Sequence, residues 1–328
     1  MLGRAAFIVI SFYMVLFSQS VRAEWFSRDG TVMGTTARVE IWTTDSAQAQ
    51  PLVELAFKEL RRIDHLLSPY KPASALSRVN QSAGDPVGVQ ISPEFFHLLQ
   101  RALAFSVETT GRFDITFASV GHRYNFRDKS RPTVEEMTPL LDAIDYRHIQ
   151  LLTASSQVIL RHPKTRIDLG GIAKGYAVER AASLLQRQGV QYAQVTAGGD
   201  TRFIGDRRGR PWRVGIRDPR QEGTTVAVLP LEDEAMSTSG DYERFFIEDG
   251  QRYHHIINPK TGLSAEGVQS VTVIGPDATV TDALSTSVFV MGIDHGLRLI
   301  NSRSAYEAVV VGRTGSLFFS NGLSKQTD

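Results

Sequence analysis

Apolar residues recur along this chain with two different periods, which predict helices in some stretches and strands in others. Residues 51–67 place Leu52, Ala56, Leu60 and Ile63 three or four positions apart, as on one face of a helix. Residues 31–43 alternate and are rich in β-branched residues, so they are predicted as one strand. Further helices are predicted from Pro93 to Gly111, from Thr133 to about Ile144, and over 171–188, 277–291 and 295–302. Further strands are predicted over 148–152, 157–160, 165–168, 193–196, 212–216, 225–231, 242–248, 269–274, 307–311 and 316–319.

The order of these elements predicts the fold class. Helices and strands are mixed, but they do not alternate as strand, helix, strand, so an α+β fold with largely antiparallel sheet is expected. The chain has 328 residues, 42% of them hydrophobic, which suits two domains or one large domain.

The N-terminus has the pattern of an export signal. Arg4 is followed by the uncharged, mostly apolar stretch 5–17, and small residues stand at Val21 and Ala23. This predicts a signal peptide over 1–23, cleaved after Ala23, and a mature chain of 24–328. The alternative is an uncleaved anchor, although a bilayer needs about 20 apolar residues.

Charge and cysteine content exclude several classes of protein. The net charge is +1, from 36 basic and 35 acidic residues. Loss of 1–23 would remove two arginines and no acid, which leaves about −1. Such a chain lacks the basic surface that nucleic-acid binding requires. The absence of cysteine excludes disulfides, zinc–thiolate sites, iron–sulfur clusters, a cysteine nucleophile and a lipid anchor on an N-terminal cysteine.

The densest candidate motif is a strand that ends at Asp168, a Gly170-Gly171 turn, and a helix that starts at once. A helix N-terminus presents free N–H groups to an anion, and glycine permits close approach of a ligand. Lys174 opposes the helix dipole there, so a nearby anion is expected. The alternative is an ordinary tight turn between a strand and a helix.

A second candidate lies on the helix predicted over 277–291. Asp282 and Thr286 are four residues apart and share one helix face. Carboxylate and hydroxyl oxygens are ligands that Mg²⁺ prefers. The alternative is that Asp282 only caps the helix.

The adjacent histidines His254 and His255 form a third candidate. They occupy a predicted strand, so their side chains point to opposite faces and at most one reaches a given site. One of them could act as a general base. The alternative is a hydrogen-bonded structural histidine.

Taken in order, eight motifs resemble the ApbE family, the FAD:protein FMN transferases. They lie at 31–35, 67–70 with Ser74, 111–116, 168–177, 197–200, 237–242, 255–262 and 282–286. The resemblance spans about residues 30–320. It implies an ApbE-like α+β fold over 24–328, with mixed, largely antiparallel sheets flanked by helices and two intertwined α/β subdomains.

The resemblance also implies an activity. Members bind FAD as substrate together with Mg²⁺, attach FMN through a phosphoester bond to a threonine or serine of a partner protein, and release AMP. The expected partner is a redox protein, membrane-bound or periplasmic, and the enzyme itself is expected to be exported and soluble. Two rivals remain open, namely an FAD pyrophosphatase that yields FMN and AMP and a non-catalytic FAD-binding protein.

The same resemblance implies roles for individual residues. Those expected to bind the cofactor are Met33, Tyr70, Arg112, Phe113, Asp114, Asp168, Lys174, His255 and Ile256, with Tyr70 stacked on the flavin. Mg²⁺ would be held by Asp282, Ser285, Thr286 and the Gly171 carbonyl, and His255 would be the general base. One departure is Asn258, where the family often has aspartate, which removes a charge beside the expected site.

Overall fold

The computed structural model describes residues 24–324, so the predicted signal peptide 1–23 lies outside the described residues. The helices are α1 (Ser46–Leu67), α2 (Ala75–Gln81), α3 (Pro93–Glu108), α4 (Ala118–Gly121), α5 (Val134–Leu141), α6 (Ala173–Arg187), α7 (Ala278–Met291), α8 (Ile293–Asn301) and α9 (Asn321–Ser324). The strands are β1 (Glu24–Val32), β2 (Thr35–Thr43), β3 (Val89–Gln90), β4 (Ile149–Leu152), β5 (Gln157–Leu160), β6 (Ala193–Ala197), β7 (Asp200–Ile204), β8 (Trp212–Arg217), β9 (Thr225–Leu231), β10 (Ala235–Gly240), β11 (Phe245–Glu248), β12 (Gln251–His254), β13 (Val268–Gly275), β14 (Glu307–Gly312) and β15 (Leu317–Phe319).

The central feature is an eight-stranded sheet in the order β1-β2-β6-β7-β10-β13-β14-β15. Three smaller sheets, β3-β5-β4, β8-β9 and β11-β12, lie outside it. Every strand pair formed by residues 24–324 is antiparallel, which confirms the predicted α+β class. Within that range no helix is long and apolar enough to cross a bilayer.

One face of the large sheet carries the main core. Helices α1, α6 and α7 pack there against alternate residues of the strands, such as the fully buried Val39 and Ile41 of β2 and Val195 of β6. Each such buried aliphatic side chain contributes about 1.5–3 kcal/mol relative to exposure. On the opposite face Phe203 of β7 meets Trp212 of β8, with ring centroids 5.3 Å apart.

Helix α7 is buried around most of its circumference, and several of its hydroxyl groups are hydrogen-bonded nearby, whereas Thr279 Oγ1 is buried without a partner among the described residues. Ser287 Oγ donates to the Ala283 carbonyl at 2.6 Å, and Thr281 Oγ1 lies 2.8 Å from Ser237 Oγ of β10. Asp277 caps the helix by accepting from two N–H groups of its first turn. Since Asp277 fills the capping role, Asp282 in the middle of the helix does not.

Two sequence predictions of secondary structure are wrong, and some elements were not predicted. The single strand over 31–43 is a hairpin, because Met33 and Gly34 turn the chain at φ 53° and 72°, as a tight two-residue loop requires. The segment 165–168 pairs with no strand, because the Asn80 side chain bonds both the N–H and the C=O of Ile167. Strands β7 and β10 were missed because buried polar residues hide their alternation.

Helices α6 and α7 touch through their backbones at Gly175, and this contact yields a prediction. A Cβ there would lie 2.1 Å from the Ala278 carbonyl oxygen and 2.6 Å from Asp282 Cβ. We expect Gly175→Ala to lower the free energy of unfolding by about 1–3 kcal/mol in urea denaturation, because overpacking forces the helices apart. Gln186→Ala, at an exposed position of α6, is the matched control. Equal stability of the two variants would show that the helices separate freely.

Candidate functional site

The site is built at the N-terminus of α6, where the backbone has free N–H groups. The preceding residue Ile172 offers no side-chain cap. Asp282 of α7 takes over that role across the helix pair, since its Oδ2 accepts from the Gly175 N–H at 2.8 Å. A carboxylate is favourable at this end of a helix, so the close packing at Gly175 and the placement of Asp282 depend on each other.

Lys174 lies between two buried carboxylates. Its Nζ is 2.7 Å from Asp200 Oδ2 and 3.6 Å from Asp282 Oδ1, and both acidic side chains are at most 3% exposed. Although burial alone would lower it, the charges of Asp200 and Asp282 raise the pKa of Lys174 well above its usual range. Asp200 and Asp282 supply the nearby negative charge that was expected from the position of Lys174 in the first turn of a helix.

Asp282 is the more perturbed acid. Burial first, and then the Asp200 charge, raise the pKa of Asp282 to about 7, although Lys174 and the Gly175 N–H act against this. Two buried carboxylates therefore share one lysine, whose side chain is 29% exposed. Such an arrangement favours the arrival of a further cation.

Oxygen donors surround Asp282 on α7 and on the loop before α6. Ser239 Oγ of β10 lies 2.8 Å from Ser285 Oγ and 3.2 Å from Thr286 Oγ1. A Cβ on Gly171 would lie 3.1 Å from Thr286 Oγ1, so the Gly171 backbone and the Thr286 hydroxyl are direct neighbours. The structure thus brings together all four residues predicted to hold Mg²⁺.

This donor set fits Mg²⁺. Within residues 24–324 no group of three or more His, Asp or Glu side chains is placed to hold a metal ion. Mg²⁺ does not need one, because it is commonly bound through one or two carboxylates, with waters and substrate phosphates as the other ligands. One carboxylate, two hydroxyls and a carbonyl suit a metal shared with a diphosphate.

The two adjacent histidines have different surroundings. His254 is buried at the end of β12, where its Nε2 pairs with the Ala265 carbonyl at 2.8 Å and its ring meets Phe289 edge-on. His255 is half-buried, and its Nδ1 is buried with no hydrogen-bond partner among the described residues. His254 is therefore the hydrogen-bonded structural histidine that the sequence analysis gave as the alternative to a general base.

The imidazole of His255 is neutral. Burial, followed by the positive charges of His254, Arg244 and Lys174, lowers the pKa of His255 to about 3. A neutral ring can accept a proton, which a general base must do.

Three further residues predicted to bind the cofactor lie beside the Gly170-Gly171 turn or next to His255. Phe113 is buried, and its ring edge would be 3.3 Å from a Cβ on Gly171. Asp168 Oδ1 accepts from the Gly170 N–H at 2.6 Å, and burial raises the pKa of Asp168. Ile256 is buried directly after His255.

Asp114 is occupied by the protein itself. Its carboxylate accepts from the N–H and the hydroxyl of Thr116 and, at 2.8 Å, from the N–H of Tyr146. Burial nevertheless raises the pKa of Asp114. In this arrangement Asp114 holds the loop that carries Phe113, and its direct contact with a ligand stays a prediction.

Three residues predicted to bind the cofactor have no hydrogen bond or ion pair with Asp200, Lys174 or Asp282 among residues 24–324. Tyr70 is 79% exposed on the loop after α1, Met33 forms the tip of the β1–β2 hairpin, and Arg112 is half-buried beside Phe113. An aromatic ring left in solvent on a loop is free to stack on a planar ligand.

Sequence reasoning missed two charged groups of the site, Asp200 and Arg244. Asp200 lies in the motif at 197–200 but was assigned no role, because its ion pair with Lys174 joins distant parts of the chain. Arg244 approaches within 3.2 Å of the Cβ position of Gly34 and acts electrostatically on both Asp168 and His255. No local pattern marks Arg244.

Comparisons with known proteins agree with this arrangement. A model of the ApbE family matches residues 33–310. An FAD:protein FMN transferase from Treponema pallidum is 32% identical over 309 residues, 88% of this chain and 85% of that protein.

Two solved structures share the fold. The ApbE protein from Thermotoga maritima has a TM-score of 0.84 at 32% identity, covering 92% of this chain and 99% of that one. The flavin transferase ApbE from Vibrio cholerae has a TM-score of 0.82 at 28% identity, covering 93% and 99%.

The neutral state of His255 can be measured. Since its folded pKa is about 3, well below the ordinary value of 6.5, the ring should stay unprotonated from pH 8 to pH 5 in the free protein. We expect its ¹⁵N chemical shifts in NMR to remain those of neutral imidazole over this range. The spectrum of the His255→Ala variant, which lacks this ring, identifies which signals belong to His255 and serves as the control. Protonation of His255 above pH 5 would contradict its description as a shielded base.

Proposed function

The chain belongs to the ApbE family, and from that premise we propose that it transfers FMN from FAD to a protein acceptor. Relatives named FAD:protein FMN transferase cover most of its length, so the chain is an enzyme of the transferase class. The proposal adds that the reaction uses Mg²⁺ and that the acceptor atom is the hydroxyl oxygen of a threonine or serine.

The observation that carries the proposal is the cluster at the start of α6 in which Lys174 pairs with the buried carboxylates of Asp200 and Asp282. An FAD diphosphate carries two negative charges, and a hydroxyl attacks it only when those charges are neutralised. A lysine, a helix N-terminus and a set of metal-binding oxygens converge at one place, which supports a diphosphate site there.

Each residue of the cluster has a separate task in the proposed reaction. Asp282, Ser285, Thr286 and the Gly171 carbonyl would hold Mg²⁺, which when bound supplies charge neutralisation on the diphosphate. Lys174 adds a fixed positive charge while Asp200 holds its ammonium group in place. The flavin would extend toward Phe113 and the loop of Tyr70.

In the transfer step one bond to phosphorus forms and one breaks. The hydroxyl oxygen of the acceptor forms a bond to the phosphorus of the FMN half, the bond from that phosphorus to the bridging oxygen breaks, and AMP leaves. An unprotonated ring nitrogen of His255 takes the hydroxyl proton. What supports this role is the buried Nδ1 of His255, which has no hydrogen-bond partner among residues 24–324 and can therefore accept a proton.

We also propose that the enzyme is exported and meets a membrane-bound or periplasmic redox protein. The support is the sequence pattern of Arg4, the apolar stretch 5–17 and the small residues Val21 and Ala23. Cleavage after Ala23 would leave Glu24, the first residue of β1, as the mature N-terminus.

The metal assignment predicts a defined loss on substitution of Asp282. We expect Asp282→Ala to lose Mg²⁺-dependent FMN transfer by about two orders of magnitude or more while the protein stays folded, since it removes the one carboxylate of the donor set. The assay follows AMP release from FAD and flavin fluorescence that stays on the acceptor in denaturing gels. Asp294→Ala removes an exposed acid from the neighbouring helix α8 and serves as the control. Mg²⁺-dependent labelling by Asp282→Ala would contradict the assignment.

A second substitution tests the base. We expect His255→Ala to bind FAD normally and to lose about 10²–10⁴-fold in the rate of transfer, as for a missing general base. Transfer at the rate of the unaltered enzyme would remove His255 from this role. AMP and free FMN without labelled acceptor would instead indicate a pyrophosphatase, and unchanged FAD would leave only a binding function.

A further inference from the structure

The small β11–β12 hairpin stands directly on the candidate site. Arg244 precedes its first strand and His255 follows its second, and the His255 N–H donates to the Arg244 carbonyl at 3.1 Å. The turn at its far end is Asp249-Gly250, and the hairpin joins no other sheet. One end of this hairpin is therefore fixed at the reacting groups, and the rest projects away from them.

The hydrogen bond between His255 and Arg244 determines which backbone groups of β11 face outward. Successive residues of an antiparallel strand alternate between bonding the partner and facing away from it. Because the Arg244 carbonyl is bonded on the side of β12, the backbone groups of Phe246 and Glu248 also face β12. The N–H and C=O groups of Phe245 and Ile247 therefore point to the outer edge. No residue within 24–324 hydrogen-bonds to these groups.

The opposite edge of the hairpin is closed near the site. The His254 N–H of β12 donates to Ser264 Oγ at 2.9 Å, and Ser264 Oγ donates to the His254 carbonyl at 2.7 Å. An additional strand can therefore pair along β11 but not along the site end of β12.

Side chains on β11 also suit an added strand. Ile247 is 60% exposed and Phe245 is 37% exposed on one face, where the Arg252 guanidinium lies 3.8 Å from the Phe245 ring centroid. Phe246 on the other face is buried and stacks on Tyr253 at 5.5 Å. An open edge with exposed apolar side chains is a template for strand addition, and natural proteins usually block such edges with charge, proline or a bulge.

We propose that the acceptor protein docks by adding an extended segment, which carries the threonine or serine, to the free edge of β11. Backbone groups of Phe245 and Ile247 would pair with the segment, and apolar side chains at alternate positions would pack on these two residues. A strand on this edge ends beside Arg244 and His255, where its hydroxyl can meet the diphosphate. The proposal rests on the proposed function and adds no bond change to it.

The test uses a synthetic peptide as acceptor, acetyl-Lys-Val-Ser-Val-Thr-Val-Ser-Lys-amide, with FAD, Mg²⁺ and the full chain. Its valines alternate on one face, and its threonine and two serines offer hydroxyl groups on the other. FMN attachment is followed by mass spectrometry, and FAD affinity is measured separately by flavin fluorescence.

Ile247→Pro probes the edge itself. It removes an N–H that the hairpin does not use, together with an exposed apolar side chain. We expect the KM for the peptide to rise about tenfold with kcat and FAD affinity unchanged, because only acceptor binding is lost. The matched control is Val228→Pro on β9 of the separate β8–β9 hairpin. Val228 is 48% exposed, and its N–H points outward because Pro230, two residues on in the same ladder, has none. Its KM should equal that of the unaltered enzyme.

A second arm needs no altered protein. The same peptide with every backbone nitrogen from its second to its seventh residue methylated has no N–H group to pair on either edge, so its KM should rise similarly. Equal KM values for Ile247→Pro and the unaltered enzyme, or for both peptides, would overturn the docking proposal alone. So would an enzyme that labels proteins of a membrane extract but not the extended peptide. An enzyme that binds FAD and labels nothing would contradict the proposed function, and the docking proposal would fall with it.

Discussion

Two buried carboxylates, Asp200 and Asp282, must be stabilised by a single lysine, and the arrangement of the site depends on this constraint. Removing an ion from water is costly, so such groups persist only where partners compensate them. Lys174 and the Gly175 N–H provide this compensation. To do so, α6 must begin beside α7, which in turn requires glycine at the contact. A well-packed apolar trio would hold the two helices together equally well. The charged residues are therefore explained by the chemistry of the site and not by a gain in stability.

Much of the fold was predictable from the sequence because its signals are local. The capping box at Thr133 and Glu136 and the proline at the start of α3 mark helix ends that the structure confirms. Strands β7 and β10 were not predictable, because their polar residues are buried for the site and break the alternation. The hairpin at Met33-Gly34 was missed for a different reason, since a two-residue turn interrupts a β-rich stretch without changing its composition.

The candidate site was predictable to the extent that its residues lie in recognisable motifs. Lys174, Gly171, Asp282, Ser285 and Thr286 were all named from the sequence, and the structure brings them together. Asp200 and Arg244 act across long distances in sequence, so nothing local announces their partners. The β11–β12 hairpin belongs to the same category. Its open edge follows from one hydrogen bond between the residue that precedes the hairpin and the residue that follows it, which no sequence pattern shows.

The central claim is that Asp282 and Lys174 form the diphosphate and metal site, and a crystal structure with FAD and Mn²⁺ in place of Mg²⁺ tests it most directly. Anomalous scattering locates the manganese unambiguously. The account predicts a metal that contacts the Asp282 carboxylate and the FAD diphosphate, while Lys174 keeps its ion pair with Asp200. FAD bound with its diphosphate away from α6, or a metal held by residues other than Asp282, would contradict it.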